Sequence, residues 1–290
     1  MAGYVLYNGF WNPDRLPDPV SRLIAAGERC GFPLIARPNT AFAAEISRSG
    51  GSGLGREDTV LCWDKDVRLL RMLEADGVAV FNTAESVAVC DDKSLTHIAL
   101  TRAGLPTPQT LLAPMTYVAY TEAGENFLDA AADTLGFPLV FKECFGSLGE
   151  QVYLIHNRSE LSATAARMQH RPFILQRFVA ESAGEDKRLY VVDGCVVAAM
   201  RRRSNADFRA NIGAGGSGEA YLPTAEETRL ALAACEALGL LFAGVDILDS
   251  ADGPLLCEVN ASAHMAALES CTGVNVAERI VTAVKNRRGM

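Results

Sequence analysis

The first ninety residues alternate short apolar runs with amphipathic stretches, and glycines follow the amphipathic ones. GYVLYN, FPLIAR, TVLCW and VAVFNT read as strands. PVSRLIAAGERCG, ending at Gly31, and VRLLRMLEADG read as helices between them. Strand–helix alternation is the signature of a parallel sheet, because parallel neighbours need a helical crossover to return the chain. This pattern restricts the N-terminal part to an open α/β unit. Within it, SGGSGLG (Ser49 to Gly55) has the glycine content of a phosphate loop. Such a loop follows a strand and opens a helix. This run precedes TVLCW and lacks GK[ST], so a mobile connection is expected.

The pattern then changes. CDDKSLTHIALTRAGLPTP reads as a helix with Asp91 or Asp92 at its start and Gly104 with Pro106 at its end. AADTLGFPLVFKECFGSLGEQVYLIH reads as helix, strand, glycine-rich turn and strand. FILQRFV is a strand, and RLYVVDGCVVAAMRR is a hairpin turned at Asp193-Gly194. AEETRLALAACEALGL is an amphipathic helix closed by Gly239, AGVDILDSADGPLLCEVNAS a terminal hairpin, and VNVAERIVTAVKNR a last helix. Hairpins dominate this half, so the class is α/β passing into α+β.

With 290 residues, the chain is long enough for two or three subdomains. Its net charge of −8 argues against a general nucleic-acid partner, which calls for a basic face. The eight cysteines form no CxxC pair, and several sit in apolar runs. That usage fits reduced thiols in the cytoplasm rather than disulfides or zinc. No basic leader with an apolar core opens the chain, and no apolar stretch approaches the ~20 residues that span a bilayer. A cytoplasmic protein with neither membrane nor nucleic-acid partners is expected.

The terminal hairpin carries the first chemical signal. With its turn centred near Asp252, Asp246 faces Glu258 and Gly244 faces Asn260. Two carboxylates opposed among apolar neighbours repel each other, and burial aggravates the conflict. A hard divalent cation removes it, and Mg²⁺ commonly takes one or two carboxylates plus substrate phosphates. A solvent-exposed face with merely wet acids is the alternative. Lys142 lies inside the apolar strand GFPLVFKEC and needs an anion or a route to water, and the turn FGSLG beyond it offers backbone amides to phosphate oxygens. LQRFVAESAGEDKRLYV suits either an adenine-binding strand edge followed by a ribose-binding acid or a solvated turn. RRRSNADFRANIGAGG, with four arginines, suits a loop folding over an anionic ligand. No nucleophile framework occurs. His97, His156, His170 and His264 show no metal spacing.

In this order, CDDKSLT, GFPLVFKECFGSLG, LQRFVAESAGEDKR, RRRSNADFRANIGAGG, AGVDIL and CEVNAS resemble the ATP-grasp ligases, and within them the RimK-like α-glutamate ligase family. The resemblance runs from about Asp91 to Arg288. It implies an N-terminal α/β domain over residues 1–90, a linking helix and lid subdomain over 91–172, and a C-terminal ATP-grasp subdomain over 173–290. It implies that Lys93 and Lys142 hold ATP phosphates, with Gly146, Ser147 and Gly149 closing over them. Gln176, Arg177, Phe178 and Val179 would form the hinge beside the adenine, Asp186 would meet the ribose, and Arg188 would also line the nucleotide site. Arg202, Arg209 and Asn211 would act at the reaction centre, and Asp246, Glu258 and Asn260 would ligate two Mg²⁺ ions, with Mn²⁺ as a substitute. Two departures stand out. Glu150 and Gln151 follow Gly149 where the family continues with glycine, and ASAH (Ala261 to His264) stands where the family often has ASPG.

The reaction implied joins a carboxylate to an amine through an acyl phosphate, adding an amino acid such as glutamate to an amine acceptor, with an amino acid or peptide as substrate. A segment near 140–170 would move as a lid that excludes water. A homodimer or homotetramer is ordinary for the family. An ATP-binding regulatory module and a kinase that stops at phosphorylation are the alternatives.

Overall fold

The computed structural model describes residues 2–10, 18–116, 122–147, 149–168, 170–210, 212 and 215–289. The N-terminal elements are β1 (Gly3–Tyr7), α1 (Asp18–Arg29), β2 (Leu34–Pro38), β3 (Thr59–Trp63), α2 (Val67–Ala75) and β4 (Ala79–Phe81). All strand pairs are parallel, in the order β2-β1-β3-β4. Every residue of β3 is buried, as a central parallel strand covered on both faces requires. Gly31 ends α1 at φ 66°, and Asp66 caps α2 by accepting from Leu69 N. The run SGGSGLG is a connection, but a tied one. The amides of Gly50 and Ser52 donate to the Asp76 carboxylate at 2.7 and 2.9 Å.

Helices α3 (Ala84–Asp91) and α4 (Lys93–Arg102) follow. Asp92 caps α4, accepting from Ser94 N and Leu95 N. Next come β5 (Thr110–Leu112), α5 (Glu122–Leu135), β6 (Leu139–Glu143), β7 (Val152–Ile155), α6 (Arg158–Arg167) and β8 (Phe173–Arg177). They build an antiparallel sheet, β5-β8-β6-β7, with its own core. Leu128 and Leu161 pack there with Phe141, which stacks on Phe173 at 4.2 Å. The sequence boundary between 172 and 173 therefore cuts this unit. Strand β8 pairs with β5 and β6, so its residues belong with this sheet.

The remaining elements are β9 (Glu185–Val192), β10 (Cys195–Arg203), β11 (Ser217–Ala220), α7 (Ala225–Ala237), β12 (Phe242–Ser250), β13 (Gly253–Asn260), α8 (Ala266–Thr272) and α9 (Val276–Arg287). The five strands form one antiparallel sheet, β11-β10-β9-β12-β13. Asp193 and Gly194, at φ 47° and 73°, turn the β9–β10 hairpin as their sequence demands. A capping box between Thr224 and Glu227 starts α7.

Two large apolar clusters join this sheet to the N-terminal one. Leu6, Val60 and Leu70 pack with Leu189, Leu230 and Ile247. Val5, Leu61 and Val20 pack with Tyr190, Phe242 and Ile280. The alternation of Val5 and Leu6, or Val60 and Leu61, sends successive side chains into different clusters, as strand geometry dictates. The N-terminal unit is separate as a sheet but not as a core.

Candidate active site

The β12–β13 register is the one the turn at Asp252 predicts: Asp246 pairs with Glu258 and Gly244 with Asn260. The pairing then slips, since Ile247 faces Leu256, and Cys257 is the extra residue of a bulge. As a result Cys257, Glu258 and Asn260 all line one cleft of about 660 Å³.

On the hairpin alone, Asp246 and Glu258 are opposed acids that need a cation. The tertiary fold answers differently for Asp246. Register places Arg188 of β9 beside Asp246, and Arg202 of β10 beside Asp186. Arg188 donates to both Asp246 oxygens at 2.7 and 2.6 Å. Arg202 grips both oxygens of Asp186 at 2.6 Å and reaches Asp246 at 2.9 Å. Burial opposes the charge on Asp246, but Arg188 and Arg202 outweigh it and hold the carboxyl below the usual carboxylate range. Asp186, expected at a ribose, lines the cleft with both oxygens already taken by Arg202.

Lys93 opens α4 with its Nζ 3.8 Å from Glu258 and 3.5 Å from the Gly146 carbonyl. Lys142 is 7% exposed in β6, and its Nζ lies 3.7 Å from Cys257 Sγ. Among the described residues no carboxylate pairs with it. A buried ammonium without an acid partner implies an anion supplied from outside the chain.

Glu258 and Asn260 have oxygen donors suited to Mg²⁺. Among the described residues Asp246 Oδ1 accepts a single hydrogen bond, from Arg188, which leaves a lone pair. The amide nitrogen of Asn260 is buried without a partner among the described residues. Among the described residues no three His, Cys, Asp or Glu side chains gather to hold a metal. The donor set is thus two carboxylates and an amide, which suits a hard ion that completes its shell with ligand oxygens.

Gly146, Ser147 and Gly149 line the cleft. Gln151, the departure from the family glycine, folds back onto this turn and accepts from Ser147 N at 3.2 Å. A Cβ on Gly146 would meet its Oε1 at 2.4 Å. Arg209 also faces the turn. It donates to the carbonyls of Gly149 and Val152 and pairs with Asp207 at 2.6 Å. Asn211 lies outside the described residues.

Gln176, Arg177, Phe178 and Val179 run along the cleft at the end of β8. The Gln176 amide, 2% exposed, donates to Thr110 Oγ1 at 2.8 Å and contacts His97 Nε2 at 3.2 Å. Burial, aided by Lys142 and Lys93, pushes the His97 imidazole down to about 3, so it is neutral at pH 7.

The sequence reading missed one wall. Tyr7, Asn8, Trp63, Asp64 and Lys65 line the cleft from the carboxyl ends of β1 and β3. That rim is where open parallel sheets bind ligands, so the strand assignments alone pointed there. The departure ASAH lies on the same side, and Ser262, Ala263 and His264 line the cleft. It is pinned from below: Asn82 donates to Ala261 O at 3.0 Å and Tyr190 OH to Ala263 O at 3.2 Å.

Residues 90–284 match the model of the RimK-like ATP-grasp domain. A probable alpha-L-glutamate ligase of Thioalkalivibrio sulfidiphilus is 37% identical over 220 residues, 75% of this chain and 70% of that protein. A Mycoplasma pneumoniae protein described as an uncharacterized MG012 homolog is 31% identical, covering 79% of this chain and 81% of its own. The crystal structure of a RimK domain ATP-grasp protein from Sphaerobacter thermophilus superposes with TM-score 0.75 at 22% identity, covering 98% of this chain and 99% of that one. D-cycloserine synthetase DcsG does so with TM-score 0.74 at 16% identity, over 99% of both chains. The match covers the strands that carry Lys142, Asp246 and Glu258, and on it the chain belongs to the RimK-like ATP-grasp family.

Proposed function

We propose that this chain is an ATP-dependent ligase that joins a carboxylate to an amine through an acyl phosphate. The observation that carries the reading is Lys142, a buried cation without a carboxylate partner among the described residues, in a cleft that also holds Lys93, Arg188 and Arg202. Of these, Lys93, Arg188 and Arg202 stand by acids, and Lys142 has no acid partner among the described residues, so its ammonium suits a phosphate ligand.

In this reading ATP lies with its adenine along Gln176 to Val179 and its phosphates between Lys93 and Lys142, under Gly146, Ser147 and Gly149. Asp186 and Arg188 complete the nucleotide wall. Arg202 keeps Asp246 and Asp186 in place, while Arg209 and Asn211 approach the reaction centre. Glu258, Asn260 and Asp246 hold the divalent metal, two ions in all, with Mn²⁺ able to replace Mg²⁺. When bound, Mg²⁺ neutralises charge on the phosphoryl oxygens during transfer. Lys93 and Lys142 add to that neutralisation without needing to move a proton. The carboxylate takes the γ-phosphoryl group and ADP leaves. The amine then displaces phosphate from the acyl carbon, so no protein nucleophile is required. Residues near 140–170 close over the site as a lid.

The substrates are an amino acid or peptide, by likeness to the Thioalkalivibrio relative named for glutamate and to PsnB, solved with its precursor peptide. PsnB shares 19% identity with this chain, which is a likeness of fold. A cytoplasmic location and a homodimer or homotetramer belong to the same reading. Among the described residues no helix is long and apolar enough to cross a membrane.

The test is ADP release from ATP and Mg²⁺. It requires both a carboxylate and an amine, and Glu258→Ala abolishes it. A stable phosphorylated product without an amide would instead mean a kinase. Saturable ATP binding with no turnover on any pool of acids and amines would mean a regulatory module.

A further inference from the structure

We propose that Asp64 anchors the ammonium group of the amine-bearing substrate, on the wall of the cleft formed by the carboxyl ends of β1 and β3. The proposal rests on the ligase reading and adds the subsite that selects its amine.

Strands β1 and β3 are parallel neighbours in which Tyr7 pairs with Trp63. The next residues, Asn8 and Asp64, therefore leave the sheet side by side at its carboxyl edge, and both line the cleft. Asp64 Oδ1 accepts from Lys65 N at 2.7 Å and from Asn8 Nδ2 at 3.4 Å. Its other oxygen, Oδ2, is buried with no hydrogen-bond partner among the described residues. The adjacent cation does not neutralise it, because Lys65 pairs with Asp91 at 2.6 Å. No other lysine or arginine among the described residues forms an ion pair with Asp64.

A buried acceptor left without a donor is costly, and a carboxylate left without a cation adds to that cost. One ligand ammonium supplies both the missing N–H and the missing charge. Asp64 as a whole is only partly buried, so rotation of its carboxylate can present either oxygen to the cleft. Burial, with Asp66 and Asp91 adding to it, holds the carboxyl above the usual aspartate range against the hydrogen bonds from Lys65 and Asn8. The ion is therefore under-stabilised as it stands, which is the condition a cationic ligand relieves.

The experiment titrates the twenty proteinogenic amino acids, and their N-acetyl derivatives, into the full chain loaded with AMP-PNP and Mg²⁺. Calorimetry compares the wild type with Asp64→Asn. At least one amino acid is expected to bind the wild type. N-acetylation and Asp64→Asn are each expected to weaken that binding about 10- to 100-fold, the range of one charge-assisted hydrogen bond. Unchanged AMP-PNP affinity reports that the variant is folded, and Asn8→Ala gives a smaller loss in the same direction. Equal binding of the N-acetyl form, unaltered binding by Asp64→Asn, or no binding of any of the twenty overturns the subsite. ADP release judges the ligase reading separately. An amino acid bound through Asp64 but never ligated sinks the ligase and upholds the subsite. Ligation with an unaltered amine KM in Asp64→Asn does the reverse.

Discussion

Lys142 shows how far one residue can be read. Its place in an apolar strand signals an unmet charge, and the fold leaves it buried without an acid partner among the described residues. Replacing it with methionine removes an uncompensated cation at similar volume. Lys142→Met is therefore expected to leave ligand-free stability unchanged or raised, while the Kd for ATP rises about 10- to 100-fold. Chemical denaturation and nucleotide titration check the two halves, and a large loss of stability would contradict the unpaired charge. His97 was not legible in this way, since its sequence context is an ordinary helix. Folding pushes its imidazole down from the ordinary 6.5 to about 3, through burial first and then Lys142 and Lys93. The unfolded chain thus binds more protons than the native one between those values. Stability contributed by this group is full above pH 6.5 and is lost as pH falls towards 3. The slope is about 1.4 kcal/mol per pH unit for one proton. His97→Gln should flatten the wild-type decline between pH 6.5 and 5, measured by denaturant midpoints.

At the scale of the element, the terminal hairpin was legible because a strong turn sequence sets the register of two antiparallel strands. The bulge at Cys257 was not, because nothing in LLCEVN distinguishes a regular ladder from one with an extra residue. Gly244 belongs to the same level. A Cβ there would stand 2.5 Å from the Ala263 Cβ, so the glycine is what lets the ASAH segment lie against β12. Gly244→Ala should cost about 1–3 kcal/mol by overpacking. It should also displace Ser262 and His264, raising the KM of the carboxylate or amine more than that of ATP. Steady-state kinetics on each substrate would expose the opposite pattern.

For the whole molecule, sequence boundaries and energetic boundaries differ. The sheets separate near residue 90, yet both large cores run from β1 and β3 into β9 and β12. A chain lacking residues 1–90 would expose Leu189, Tyr190, Phe242 and Ile280, which the N-terminal unit helps to cover. It is expected to aggregate or to lose its cooperative thermal transition, as followed by circular dichroism and light scattering. The sheet β5-β8-β6-β7 keeps its own core around Phe141 and Phe173, separate from the other two clusters.

By itself, the sequence determined the local periods, the turns and the order of motifs. These follow from short-range rules: strand alternation, glycine at positive φ and paired hairpin positions. They sufficed for the α/β then α+β class and for singling out Lys142, Asp246, Glu258 and Asn260, while residues such as Lys93, Asp186 and Arg188 came from the resemblance of the motifs to a family. Only the tertiary structure decided what neutralises Asp246, where β8 belongs, and that Asn8 and Asp64 line the cleft. The reason is lateral strand order. Charge balance and burial depend on neighbours such as Arg188, Arg202 and Trp63, and distance along the chain does not reveal which strand lies beside which.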